Sequence, residues 1–312
     1  MVSASPIDFK NAILNPCPKG TPQLFAIRYS LFIKITPVFG VIHTYKGSIS
    51  KMDKIRNAKR IVIKVGTSTL CYKTGNLNIR RVRRLIEVMS DLKNQGRDII
   101  FVTSGAVGIG VGRAGLPTRP KDMPTKQACA AIGQCELMNM YDREFSKYNH
   151  TVAQILVTRD VVSNEIRRQN AFNTLHRLLE LGAVPVINAN DTVSIEQLDF
   201  DENDTLSAVT AQLCEADLLI MLTDVDGLYD KNPALPDAKR IPVVHKLTDE
   251  MIAAAGEKGS ELASGGMLTK LEAAQIAGES GIPAVIINGD RPENLYDLFE
   301  GNAKCTVFDL NN

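Results

Sequence analysis

Apolar residues recur along residues 59–308 in two alternating patterns, short β-branched runs and longer stretches with helical spacing. Ile61, Val62, Ile63 and Val65 make one short run, the pattern of a strand buried on both faces of a parallel sheet. From Asn78 to Gly96 the period changes. Ile79, Val82, Leu85, Ile86, Met89 and Leu92 fall on one helical face, with Asn78 as N-cap and Gly96 as stop. Further strands are predicted at 98–103, 151–157, 183–188, 217–222 and 283–287, and helices at about 125–145, 168–181, 205–214 and 265–280. Strands and helices in alternation predict an α/β fold, a three-layer αβα sandwich with a mostly parallel central sheet. In such sheets ligands sit beyond the carboxyl ends of the strands.

Residues 1–51 do not share this pattern. They carry Lys10, Lys19, Arg28, Lys34, Lys46 and Lys51 against one acid, Asp8, with scattered prolines and no sustained period. The apolar patch 31–42 is broken by Lys34 and Pro37, which argues against a membrane anchor. Two readings stand for this segment: a mitochondrial transit peptide, or a poorly ordered extension before a functional start at Met52. The second is favoured, because a transit peptide's arginine-rich amphipathic helix is missing. Residues 52–312 then form the functional domain.

Composition narrows the classes. The chain has 312 residues and a net charge of +1, so no global basic field points to nucleic acid or an anionic membrane. Trp is absent and aromatics are sparse, which argues against a stacking platform for single strands. Cys17, Cys71, Cys129, Cys135, Cys214 and Cys305 show no CxxC pair or metal-ligand spacing and read as reduced cytosolic thiols. The expected location is the cytoplasm.

Chemistry is therefore sought just after each strand. Those positions read Lys64-Val-Gly-Thr-Ser68, Thr103-Ser-Gly-Ala106, Asn188-Ala-Asn-Asp191 and Thr223-Asp-Val-Asp-Gly-Leu-Tyr229. Lys64 interrupts an apolar run, where an unpaired ammonium is costly to bury. Gly66, Thr67, Ser68 and Thr69 could form an anion-binding nest above it; alone, the stretch reads equally well as a snorkelling lysine. In Ser264-Gly-Gly-Met-Leu-Thr-Lys270, two glycines open a helix whose free N–H groups suit an anion, with Lys270 one turn inside. Around Asn203 stand Asp191, Asp201, Glu202 and Asp204, able to bind an ammonium group, orient the lysines, hold phosphate-borne Mg²⁺ or, for Asp204, cap a helix. Gly110-Val-Gly-Arg-Ala-Gly115 matches GxGxxG but starts well past its strand, and reads as a glycine-rich loop rather than a dinucleotide site. No GxxxxGK[ST], HExxH or GxSxG occurs, and the four histidines form no ligand cluster.

Taken in order, these motifs, with Glu202-Asn-Asp-Thr-Leu-Ser-Ala208 and Gly265–Lys270, resemble the glutamate 5-kinase branch of the amino acid kinase family from about Lys59 to Phe308. The resemblance implies ATP-dependent phosphorylation of the γ-carboxylate of L-glutamate, at the start of proline synthesis. It implies catalytic roles for Lys64, Lys270 and Asp191, and glutamate binding by Ser104, Gly105, Ala106, Asp191, Asn203 and Asp204. The ATP site would comprise Lys64, Gly66, Thr67, Ser68, Thr223, Asp224, Ser264, Gly265, Gly266, Met267, Leu268, Thr269 and Lys270. Mg²⁺ would bridge the phosphates, with no direct protein ligand assigned. It further implies proline as feedback inhibitor, a homo-oligomer and a glutamyl phosphate reductase as partner. Thr205 and Ser264 stand where the family more often has asparagine and threonine, and the C-terminal PUA domain of many members is not expected here. Other family substrates, N-acetylglutamate or aspartate, and a catalytically silent amino-acid sensor are the alternatives. The acids at Asp191 and Asp204 suit a free α-ammonium group, which an N-acetylated substrate lacks.

Overall fold

The computed structural model describes residues 51–72, 76–158, 160–193, 203–256 and 266–310. Residues 1–50 of the basic N-terminal segment, with Asp201, Glu202, Ser264 and Gly265, lie outside the described residues. In chain order the first elements are α1 (Lys51–Arg56), β1 (Arg60–Val65), α2 (Thr67–Leu70), α3 (Ile79–Asn94), β2 (Asp98–Val102) and α4 (Ala106–Arg113). There follow α5 (Met123–Phe145), β3 (Val152–Val157), α6 (Asp160–Ser163), α7 (Glu165–Glu180), β4 (Val184–Ala189) and α8 (Asn203–Leu213). The chain continues through β5 (Leu218–Thr223), β6 (Val243–Val244), α9 (Asp249–Gly256), α10 (Gly266–Glu279), β7 (Ala284–Asn288), α11 (Asn294–Glu300) and β8 (Cys305–Phe308).

The eight strands form one sheet in the order β3-β4-β2-β1-β5-β7-β8-β6. From β3 to β7 every pairing is parallel, while β8 runs antiparallel to β7. Alternate side chains of a strand face opposite ways, so each strand feeds two cores. Ile61, Ile63, Phe101 and Ile220 pack with Leu85, Met89 and Leu137 from α3 and α5. Val62, Ile100, Leu219 and Ile286 pack with Leu175, Val209 and Ala274 from α7, α8 and α10. Two helical layers around one sheet are the three-layer arrangement that the alternation predicts. Burial on both faces also explains why these strands are apolar throughout.

Helix starts follow their caps. Asn78 Oδ1 accepts from the Arg81 N–H at 3.1 Å, as its position predicts. Asp122 and Asn164 do the same for α5 and α7, at 2.9 and 3.0 Å, so both helices begin a few residues earlier than their apolar spacing suggests.

Two readings need correction. Gly66–Thr69 is not an open nest: Gly66 (φ −86°) precedes a single helical turn, α2. Nor is Gly110–Gly115 a glycine-rich loop, because α4 runs through Arg113. The glycines permit a close helix crossing instead. A Cβ on Gly110 would lie 1.8 Å from the Cys129 carbonyl oxygen of α5, and one on Gly133 would lie 1.8 Å from the Ala106 carbonyl oxygen of α4. No rotamer relieves a backbone overlap of that size. Gly133→Ala should therefore destabilise the protein by at least about 1–3 kcal/mol, the usual cost of overpacking. Urea unfolding tests this: a loss under about 0.5 kcal/mol, the range of an uneventful surface change, would show that the helices do not meet so closely.

Candidate active site

The carboxyl ends of β1, β2, β4, β5 and β7 lie along one edge of the sheet, and the polar residues that end them share that rim. Lys64 is one residue from the end of β1, on the face of Val62, so it points into the layer of α8 and α10. There it meets Asp204 in the first turn of α8, with Nζ 2.7 Å from Oδ1. Lys270, one turn into α10, places its Nζ 3.1 Å from the other oxygen, Oδ2. Thr269 donates its hydroxyl to the same Oδ2 at 2.8 Å, and Lys270 also donates to the Gly266 carbonyl at 2.9 Å.

Lys64, Asp204 and Lys270 are exposed by only 6, 3 and 7 %, so water can do little for their charges. Burial by itself would push the Asp204 carboxyl up; the facing Lys64 and Lys270 ammonium groups outweigh it and hold the group below the ordinary carboxylate range. One buried carboxylate between two ammonium groups leaves a local surplus of positive charge, which suits a polyanion. Two glycines keep that charge accessible. A Cβ on Gly66 would lie 3.6 Å from Lys64 Nζ, and one on Gly266 would lie 3.6 Å from Lys270 Nζ, in van der Waals contact with each ammonium.

The neighbouring strand ends carry further polar groups. Ser104 donates its hydroxyl to the Val65 carbonyl at 3.1 Å and lies 3.3 Å from the Thr67 hydroxyl, joining the ends of β2 and β1. Gly105 takes φ +95° to start α4 at once, a conformation costly for a residue with a Cβ, and buried Ala106 follows. Asn203 opens α8 and donates its NH₂ to the Thr103 carbonyl at 2.9 Å and to Asn188 Oδ1 at 3.3 Å. Asp191 stands two residues beyond β4, half-buried, in a turn tied to β3 by the Asn190 N–H donating to the Val157 carbonyl at 2.9 Å. On the other flank buried Thr223 donates to Asp224 Oδ1 at 3.1 Å at the end of β5. Met267 and Leu268 are half-buried against the α8–α10 core, so they anchor the start of α10.

The structure thus joins Lys64, Lys270, Asp204, Gly66, Gly266 and Thr269 in one contact set, and Ser104 with Thr67 in another. The carboxylate that bridges the lysines is Asp204. Its side chain turns to them and does not cap α8.

Sequence reasoning passed over three contributors. Arg81 on α3 donates to the carbonyls of Ser68 (3.4 Å) and Thr69 (3.2 Å) and pairs with Asp290 beyond β7 at 3.0 Å, so it braces α2. Tyr141 on α5 lies 2.6 Å from the Thr103 hydroxyl, and burial pushes its phenol up. Gln134, two turns earlier on α5, accepts from Asn188 Nδ2 at 2.9 Å. One signal was available: Gln134 sits on the helical face of Ala130, Leu137 and Tyr141, and a polar side chain among buried neighbours needs a partner.

A model of the amino acid kinase family matches residues 59–288. The glutamate 5-kinase of Listeria innocua is 45 % identical over 261 residues, which cover 82 % of this chain and 95 % of that protein. That of Clostridium perfringens is 45 % identical, covering 81 % and 96 %, and that of Enterococcus faecalis is 42 % identical. Solved structures share the fold at low identity. Carbamate kinase from Giardia lamblia, bound to AMP-PNP, superposes with TM-score 0.59 at 16 % identity, covering 82 % of this chain and all of that one. UMP kinase from Ureaplasma parvum gives 0.56 at 19 %, covering 80 % and 98 %. The paired lysines on one buried aspartate, in a mostly parallel three-layer sheet, accordingly have a family: this chain belongs to the amino acid kinases, on the glutamate 5-kinase branch.

Proposed function

We infer that the protein transfers the γ-phosphoryl group of ATP to the γ-carboxylate of L-glutamate, giving γ-glutamyl phosphate and ADP, the opening reaction of proline synthesis. The observation that carries this reading is the convergence of Lys64 and Lys270 on Asp204 at the mouth of the sheet. One γ-carboxylate oxygen bonds to the γ-phosphorus while the bond from that phosphorus to the β–γ bridging oxygen breaks. The electron pair leaves with ADP. A glutamate side chain ionises near pH 4.3, so the nucleophile is already an anion at neutral pH and needs no general base. Negative charge spreads over the transferring phosphoryl oxygens, and fixed ammonium groups lower the barrier by facing them. Lys64 and Lys270 take that role, with Asp204 holding both in place.

Glutamate is assigned to the β2–β4 flank, where Ser104, Gly105 and Ala106 suit its α-carboxylate and Asp191 and Asn203 its α-ammonium group. ATP is assigned to the β5–β7 flank with Gly66, Thr67, Ser68, Thr223, Asp224 and the 264–270 segment; the carbamate kinase solved with AMP-PNP supports a nucleotide on this fold. Among the described residues no three His, Cys, Asp or Glu side chains converge on a metal position, and both Asp204 oxygens face ammonium groups. Mg²⁺ would be carried by the ATP phosphates and would neutralise their charge. Proline, with a carboxylate beside a cationic nitrogen, resembles the α-end of glutamate and would compete there. The acyl phosphate is labile, which suits delivery to a reductase. A homo-oligomer is expected from the family likeness. Among the described residues no helix is long and apolar enough to cross a membrane.

The test is ADP release from Mg²⁺–ATP with L-glutamate, N-acetyl-L-glutamate or L-aspartate, with and without proline, and with hydroxylamine as trap. The expected result is turnover with glutamate alone, a γ-hydroxamate product and inhibition by proline. Preference for either other acceptor would overturn the substrate assignment.

A further inference from the structure

The amide groups at the head of α8 form a chain with a direction, and two backbone groups set it. The Ala189 N–H donates to Asn188 Oδ1 at 2.9 Å, so the NH₂ of Asn188 must face the other way, toward Gln134 Oε1. The Thr103 carbonyl accepts from Asn203 Nδ2, which also reaches Asn188 Oδ1. Both donors of Asn203 are then engaged. Its Oδ1 is left as an acceptor, buried and with no donor among the described residues. Buried polar atoms without partners are rare in folded proteins, and one at a strand-end rim points to a donor arriving with a ligand. Gln134 terminates the chain inside the protein. It is 8 % exposed, accepts from Asn188 at 2.9 Å, and donates its own NH₂ to Gln154 Oε1 at 3.3 Å.

We propose that Gln134 is a positioning residue for amino-acid recognition: by fixing Asn188 it keeps the Asn203 carbonyl, and not the Asn203 NH₂, turned to the substrate's α-ammonium group. The proposal rests on the glutamate reading above. Without Gln134, the Asn188 NH₂ loses its acceptor and the Asn188 amide is free to rotate. Its Oδ1 then no longer holds the Asn203 donor. A flipped Asn203 would present N–H groups to a cation and repel it. Gln134 reaches this position because its neighbour Gly133 lets α5 lie against Ala106, directly after Ser104 and Gly105.

The experiment is steady-state kinetics on the full chain, with glutarate, which lacks the α-ammonium group, as a competing ligand. In Gln134→Leu the KM for glutamate should rise about ten- to a hundredfold, the effect of losing one good hydrogen bond to a charged group. The turnover number, the KM for ATP and the inhibition constant of glutarate should stay within about threefold of wild type, because only ground-state binding of the ammonium group is lost. Gln134→Glu, which keeps an acceptor oxygen toward Asn188, should recover most of the glutamate affinity. If Gln134→Leu does not fold, Gln134→Met takes its place in the same comparison. An unchanged glutamate KM would overturn the proposal. So would equal worsening of the glutarate and ATP constants, which marks a merely structural role. Wild-type protein that turns over glutamate while the variants behave in either of those ways removes the Gln134 role alone. Wild-type protein with no glutamate-dependent turnover removes the substrate reading and the proposal together.

Discussion

Lys64→Ala and Lys270→Ala should each lower the turnover number by about 10²–10³-fold, the usual cost of removing one fixed charge that faces developing negative charge. Both variants should remain folded. Each keeps the other lysine on Asp204, so neither leaves that carboxylate stranded. Lys64 acts from a strand paired on both sides and Lys270 from a helix start, so the two losses need not match. Nor should they multiply in the double variant, because residues that act on one phosphoryl group work as a unit. Turnover within tenfold of wild type for either single variant would remove that lysine from the chemistry.

Asp204→Ala should be the most destabilising of the substitutions considered, by about 3–5 kcal/mol, because it strands two ammonium groups in a site nearly closed to water. Asp204→Asn keeps the shape but not the charge and should cost nearly as much. Urea unfolding at neutral pH measures both, and a loss below about 1 kcal/mol, the worth of an exposed pair, would show that the cluster adds nothing to the folded state. ATP should stabilise these variants more than it stabilises wild type, since its phosphates replace the missing anion. The pH dependence has a definite sign. The Asp204 carboxyl sits lower in the folded protein than in the unfolded chain, where it is near the ordinary value of about 4. Its contribution is therefore complete above that value and is lost as pH falls through the depressed folded one. Wild-type stability should decline on acidification below about pH 4, and Asp204→Asn should remove part of that slope.

How much of this was readable in the chain depends on the distance over which each cause acts. β1, β2, β4 and β5 are sandwiched between helical layers, so their β-branched runs are legible without any partner. Lys64 was legible for the same reason, as the one charge in such a run. β8 and β6 were not, because four residues and two residues at the antiparallel margin of the sheet carry too little pattern. In α4, glycines at 108, 110 and 112 lower helix propensity, yet contact with α5 overrides it. For Asp204 the residue type allowed four roles, and only the fold brings lysines 140 and 66 positions away to its two oxygens (204 − 64 and 270 − 204). Gln134 and Tyr141 act across 54 and 38 residues, and no local period signals that reach.

The sheet order gives β1 a further property. Its neighbours are β2 on one side and β5 on the other, and it is registered to both, with Lys64 opposite Val102 and Met221. The acceptor flank and the donor flank of the proposed reaction are therefore referred to one common datum. Hydrogen-bond register shifts only in whole residues, each about 3.3 Å, so the two flanks cannot creep past one another by the fraction of an ångström that would spoil in-line attack. Substitutions on either flank should retune affinity for one substrate at a time, while the line along which the phosphoryl group travels stays ruled by the central strand.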